Sequence, residues 1–271
     1  WREAILRVLK TFREQQRKTS PGPYTFQRRT EAQANTLAGD GYGRPSKPVG
    51  LICSMFRPTD DATVFPFLVP SNLFAVVSLR QAAELLSQVH RDQETAAQCR
   101  GLASEVERAL REHAVVIHEK FGRVLPYEID GYGNYYCIDE ASAPSLLSLP
   151  YLDAVSPGGP LYLNTRRFVL SDANPYYCTG RAASGPAGPR LGRDMIWPLG
   201  LIMQGLTSMD DQEVRQCLVT LQKTHAGTGF MHEAFHKDDA ARFTRPWFPR
   251  ANAMFGELIL KSYKERPHVL N

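Results

Sequence analysis

The sequence predicts an all-α chain: helical hairpins joined by long loops, with one small β-hairpin among the loops. Three observations lead there. The opening segment places Ile5, Val8, Leu9 and Phe12 on one face and Arg2, Glu3, Arg7, Lys10 and Arg13 elsewhere, the 3.6-residue period of an amphipathic helix. Met195–Leu206 and Asp210–Thr224 read as an antiparallel helix pair, with Ser208 as a candidate N-cap of the second. Between the periodic stretches, Thr19–Asp61, Pro175–Gly192 and His225–Arg250 are rich in Gly, Pro and polar residues, and structureless segments this long are usually functional. Helical hairpins with loops gathered at one mouth fit an α/α toroid, and the pattern alone also allows other all-α folds.

The remaining elements follow in chain order. Ser71 and Asn72 can cap a helix running to about Arg91, and a second runs from about Asp92 to His118 with Leu102, Val106, Leu110 and Ile117 near one face. Leu125–Tyr127 and Tyr135–Cys137 flank Asp130–Asn134, whose Asp, Gly and Asn supply turn conformations, so a hairpin is expected there. Pro144 fits the first turn of a short helix through Leu149. Asn164–Leu170 reads as helix, and a last helix, Asn252–Lys264, is stopped by Pro267.

With 271 residues and 43% hydrophobic content, the chain can bury a sizeable core without staples. A net charge of +4 is too small and dispersed for a nucleic-acid surface, and the pairs Arg28–Arg29 and Arg166–Arg167 read as solvated faces. Five cysteines without a CxxC pair make neither a disulfide scaffold nor a cysteine zinc site. The apolar run near Leu73–Leu79 falls well short of the roughly 20 residues that span a bilayer. Trp1 already sits in a helical pattern, so chain is expected upstream of it.

His232-Glu233-Ala234-Phe235-His236 matches HExxH. On a helix that spacing puts two His one turn apart to bind zinc, with the Glu activating water, so a zinc peptidase is one reading. Gly227-Thr228-Gly229 immediately upstream breaks a helix, and Arg242 stands where a metzincin carries its third histidine. The loops offer a second reading. Asp60, Asp61, Glu128, Asp130, Asp139, Glu140 and Glu233 lie there among Phe56, Tyr132, Tyr135, Tyr151, Tyr176, Tyr177, Trp197 and Trp247. Carboxylates, arginines and aromatic faces together are what a sugar site uses, and glycoside hydrolysis needs one protonated and one ionised carboxyl.

An ordered series of segments resembles glycoside hydrolase family 125, the metal-independent exo-α-1,6-mannosidases, including their fungal-type relatives. The series includes Phe56-Arg57-Pro58-Thr59-Asp60-Asp61-Ala62, Tyr127-Glu128-Ile129-Asp130-Gly131-Tyr132-Gly133-Asn134, Pro144-Ser145-Leu146-Leu147-Ser148-Leu149-Pro150-Tyr151, Asn174-Pro175-Tyr176-Tyr177, Ile196-Trp197, Gly227-Thr228-Gly229-Phe230-Met231-His232-Glu233 and Phe243-Thr244-Arg245-Pro246-Trp247-Phe248. The resemblance implies an (α/α)6 toroid of the six-hairpin glycosidase type, here incomplete, and an inverting mechanism without cofactor or metal. It implies a mannose-containing oligosaccharide of the N-glycan type as substrate, with terminal mannose removed. The general acid matches Asp61, with Asp60 as the alternative, and the general base matches Glu233. Arg57, Asn134, Asp139, Ser142, His232, Arg245 and Trp247 are the implied substrate-binding candidates.

Four positions depart from the family pattern: Glu140 replaces an Asp, Ser142 replaces an Asn, Met55 replaces a common Gly, and Ala234 replaces another. The family's N-terminal Trp-Leu-Arg-Asp-Ser motif is not among the 271 residues, so the chain reads as the C-terminal larger part of one catalytic domain, weak or inactive by itself. A degenerate carbohydrate-binding relative is the third reading.

Overall fold

The computed structural model describes residues 1–26 and 35–270, so the expectation for Arg28–Arg29 lies outside the described residues. Contacts divide the chain into two compact units, one formed by Trp1–Cys137 with Leu152–Ala154 and the other by Ile138–Tyr151 with Val155–Asn271.

Among the described residues the first unit holds three α-helices, α1 (Arg2–Gln15), α2 (Val69–Gln88) and α3 (Gln93–His113). The last two form a helical hairpin because each carries an apolar stripe at helical spacing. Val76, Leu79, Ala83 and Leu86 of α2 are buried, as are Ala96, Cys99, Leu102, Val106 and Leu110 of α3. Asp92 caps α3, accepting from the Thr95 backbone N–H at 3.0 Å and its hydroxyl at 2.8 Å. The start of α2 differs from expectation. Pro70 lies in its first turn, where a missing N–H costs nothing. Asn72 is therefore free of capping, and its amide clamps Ile52, accepting from its N–H at 2.8 Å and donating to its carbonyl at 3.0 Å.

Its described residues also form short strands: β1 (Phe67–Leu68), β2 (Val116–His118), β3 (Gly122–Val124), β4 (Glu128–Ile129) and β5 (Tyr135–Tyr136). The helix expected to reach His118 stops at His113, because the β-branched run Val115-Val116-Ile117 prefers a strand, and β2 pairs with β3. Ile117, expected on the buried face, is 79% exposed. The expected hairpin is β4–β5, extended by β1 into a three-stranded sheet in the order β1-β4-β5. Asp130 closes its turn, accepting from the backbone of Tyr132 at 2.8 Å and Asn134 at 3.1 Å. Gly131 has φ +80, and a Cβ there would meet the Lys47 carbonyl at 2.5 Å, so no other residue fits.

The second unit contains α4 (Pro160–Val169), α5 (Pro198–Leu206), α6 (Asp211–Lys223) and α7 (Pro249–Glu265), with strands β6 (Tyr177–Thr179), β7 (Ser184–Pro186), β8 (Met195–Ile196), β9 (Ala234–His236) and β10 (Asp239–Thr244). Its core brings Ile202 and Leu206 of α5 together with Leu221 of α6, Leu258 of α7 and Phe235 of β9. Three strands pair in the order β10-β9-β8.

Several expectations are corrected here. Met195–Ile196 is strand, and α5 begins at Pro198. The cap of α6 is Asp210, accepting from Gln212 N–H at 2.9 Å, while the Ser208 hydroxyl pairs with Glu213 instead. Pro144–Leu149 forms turns rather than a helix, held by Ser145 and Ser148, whose hydroxyls each bond the other's backbone N–H. Arg166 is not a solvated cation: its side chain is 12% exposed, and it pairs with Glu213 at 2.7 Å while donating to Thr207 at 3.0 Å. No helix among the described residues is long and apolar enough to cross a membrane. The five cysteines are free thiols, none in a disulfide, and burial pushes Cys217 up to about 12.

Candidate active site

In the first unit the site candidates sit on a tight turn. Phe56 and Ala62 pair across its neck, Arg57 N–H donates to the Asp61 carbonyl at 2.8 Å, and Asp60 N–H donates to the Arg57 carbonyl at 3.0 Å. The turn separates the two aspartates. Asp60 takes the left-handed conformation, φ +68, which Asp tolerates better than most residues, and its side chain is exposed. Asp61 is 4% exposed, and its Oδ2 is buried without a hydrogen bond.

Arg57 does not reach for solvent. Its Nε donates to Glu128 Oε1 at 2.6 Å, and its guanidinium lies over the rings of Tyr127 and Tyr136 at 5.6 and 5.7 Å. Glu128 Oε2 accepts from the backbone of Val64 at 2.9 Å and Phe65 at 3.0 Å. One buried carboxylate thus ties the arginine before the aspartates to the chain after them. A cleft of about 290 Å³ opens beside this chain, lined by Leu37, Arg44, Ala62, Thr63 and neighbours. Asn134 is spent on its own hairpin, donating from Nδ2 to Asp130 at 2.6 Å.

In the second unit Glu233 is 6% exposed and precedes β9. Its partners arrive from β10, because Ala234 pairs with Thr244 in register. Glu233 Oε2 accepts from the Thr244 hydroxyl at 3.3 Å, and Arg245 Nε stands 3.3 Å from the same oxygen. Arg245 has φ +43, a conformation rare for a residue other than glycine. His232 lies flat on Phe243, centroids 3.9 Å apart and planes 2° apart. Its Nδ1 lies 3.0 Å from the Pro246 carbonyl, which assigns the proton to that nitrogen and leaves Nε2 as a buried acceptor without a partner. Trp247 is 54% exposed.

The HExxH segment is therefore extended, not helical. Ala234–His236 is strand β9 and Glu233 lies in a bend before it, so His232 and His236 are not one helical turn apart. His236 Nδ1 accepts from Asp238 N–H at 3.2 Å. Among the described residues no group of three His, Cys, Asp or Glu gathers as a metal cage.

Asp139 and Ser142 are both fully buried. Asp139 Oδ1 accepts from Leu146 N–H at 2.7 Å and Oδ2 from Leu147 N–H at 3.0 Å, so this carboxyl shapes the Pro144–Leu149 turns. Burial, with the charge of Glu140 adding to it, pushes its pKa up to about 8. Ser142 Oγ makes no hydrogen bond. Trp197, an aromatic without an assigned role in the sequence, packs on Ala141 and Ala234 with its indole N–H buried and unbonded. It thereby touches the neighbours of Ser142 and of Glu233. Asn174, whose amide pairs with the backbone of Asp139 at 3.1 and 3.3 Å, is a further support that sequence reading missed. Only its place in the Asn174-Pro175-Tyr176-Tyr177 segment pointed toward it.

The sequence pattern of the metal-independent α-mannosidases, glycoside hydrolase family 125, matches residues 1–260. The chain belongs to that family. A family 125 structure from Streptococcus pneumoniae, a metal-independent α-mannosidase in a non-productive complex with α-1,6-mannobiose, shares 36% identity at a TM-score of 0.94, covering 97% of this chain and 62% of its own. The meiotically up-regulated gene 157 protein of Schizosaccharomyces pombe is 40% identical over 283 residues, 100% of this chain and 55% of that protein. A bacterial glucoamylase complexed with acarbose, 16% identical with a TM-score of 0.57, covers 73% of this chain and 34% of its own and shares the fold alone. Both solved structures have the six-hairpin glycosidase type of fold, to which the helix pairs of this family 125 chain belong. The chain spans just over half the length of its curated relative.

Proposed function

We propose that the protein carrying this chain is an exo-acting α-1,6-mannosidase that removes terminal mannose from N-glycan-type oligosaccharides, by inversion and without a metal. The observation that carries the reading is the likeness, at a TM-score of 0.94, to a family 125 enzyme solved with α-1,6-mannobiose. A coarser conclusion, glycoside hydrolysis, rests on family membership.

In this reading Asp61 is the general acid and protonates the glycosidic oxygen as the bond to the anomeric carbon breaks. Its burial and unbonded Oδ2 support Asp61 over Asp60. Glu233 is the general base and takes a proton from the attacking water. Arg245 and Thr244 at its Oε2 hold the carboxylate in one orientation, as this role requires. His232 offers a fixed acceptor and Trp247 an exposed aromatic face to the sugar. Arg57 orients the acid's turn through Glu128, and Asp139 holds the chain beside Ser142.

The test is hydrolysis of α-1,6-mannobiose by the full-length protein in the presence of chelator, with the product anomer followed by NMR. Turnover releasing β-mannose supports the reading. No turnover, loss of turnover with chelator, or release of α-mannose overturns it.

A further inference from the structure

The end of α1 carries a cation with buried, unbonded donors. Arg17 follows the helix with φ +51, a left-handed conformation that glycine takes freely and that costs another residue about 1–2 kcal/mol. The strained position carries a long cation instead. Its Nη1 donates to the Tyr42 carbonyl at 2.7 Å, and its guanidinium lies 5.9 Å from the Tyr42 ring centroid. Its Nε and Nη2 are buried and make no hydrogen bond, although guanidinium donors removed from water normally find acceptors. Among the described residues no carboxylate forms an ion pair with it.

This guanidinium borders a cleft of about 500 Å³, formed by Arg17–Pro21 on one side and Tyr42–Ser46 on the other. Lys18 and Arg44 line the same cleft, with the hydroxyls of Thr19 and Ser46. Lys18 is shared with Glu105, which pairs with it and also accepts from Gln16 at 3.0 Å. Arg44 is exposed on the opposite wall. A partly buried cation with unused donors, a second cation on the other wall and hydroxyls in the same lining make an anion site. Low local dielectric strengthens the field of such a buried charge. A volume of this size suits a small organic ligand rather than a bare ion, since ligand pockets run about 300–1,000 Å³.

We propose that the cleft between the end of α1 and the Tyr42–Ser46 segment binds a phosphate monoester, with Arg17 and Arg44 as the anion-holding groups. Neither Asp61 nor Glu233 lines the cleft, and the proposal does not rest on the hydrolase reading.

Isothermal titration of the protein with inorganic phosphate, mannose 6-phosphate and mannose tests it. Saturable binding of mannose 6-phosphate is expected, competed by inorganic phosphate and weakened by salt, with no binding of mannose at this site. Equal affinity for both phosphates makes the free anion sufficient, and a tighter sugar phosphate places its sugar in the cleft as well. Arg17→Gln and Arg44→Ala should each weaken binding about tenfold. Arg44 is exposed, so its variant folds and decides the matter even if Arg17→Gln does not. No saturable binding of either phosphate, or affinity unchanged by Arg44→Ala, overturns the proposal, as does mannose 6-phosphate binding that inorganic phosphate fails to compete.

Discussion

Arg57 Nε donates to Glu128 Oε1 at 2.6 Å inside a pocket where the two side chains are 4% and 0% exposed. Buried ion pairs contribute little net stability, but removing one partner strands the other and costs about 3–5 kcal/mol. Glu128→Ala also releases the amides of Val64 and Phe65. The variant is therefore expected to melt roughly 10 °C lower in a thermal unfolding experiment. A change of a degree or two would mean that the turn holding Asp61 is secured elsewhere.

Asp60 and Asp61 are adjacent in sequence and opposite in environment. Asp60 is exposed with φ +68, whereas Asp61 is buried with an unbonded oxygen. Steady-state kinetics on an activated aryl mannoside and on mannobiose should separate them. Asp61→Asn is expected to lose about 10²–10⁴-fold in turnover of mannobiose and less with the activated leaving group, which needs no proton. Asp60→Asn should stay near wild type. The reverse order would assign the acid to Asp60.

Much of this was written in the sequence at the level of periodic elements. The apolar stripes of the α2–α3 hairpin, and the Asp130–Asn134 turn, are local signals whose outcome depends on neighbours in the chain. The two-residue strands β1 and β8 carry no periodicity to detect, and they exist because a partner strand lies alongside. The same holds for function. Nothing local distinguishes Asp60 from Asp61, since the distinction comes from a left-handed residue in a turn closed between Arg57 and Asp61. HExxH misleads for a related reason. Five residues name a helix motif, but pairing of Ala234 with Thr244 and of Phe235 with Ile196 holds the segment extended. Trp197 was visible as an aromatic, while its contact with Ala141 and Ala234 was not.

The two histidines of that segment make opposite predictions under the two chemistries. A zinc site would lose activity equally with either one. Here His232 is stacked on Phe243 and bound to the Pro246 carbonyl, beside Glu233, whereas His236 only accepts from the nearby Asp238 amide. His232→Ala should lower turnover by about 10-fold or more, as misplacing a site group does. His236→Ala should retain most activity with chelator present. Equal losses in the two variants, restored by added zinc, would revive the metal reading.

Asp139 gives the fold a pH dependence of unusual sign. Burial is the main cause of its shift from 3.8 to about 8, aided by the charge of Glu140 and opposed by the amides of Leu146 and Leu147. Between about pH 4 and pH 8 the folded carboxyl therefore keeps a proton that the unfolded chain has released. The native state binds more protons, so the contribution of this group to stability is full below pH 4, falls as pH rises through the window, and levels off above 8. Asp139→Asn removes the titration and keeps one side-chain oxygen for the Leu146 amide, which lies 2.7 Å from Oδ1 in the parent. Melting temperatures at a series of pH values between 5 and 8 should therefore decline less steeply in the variant than in the parent. Parallel curves would show that Asp139 is ionised in the folded protein across the whole range and that the Leu146 and Leu147 amides outweigh burial.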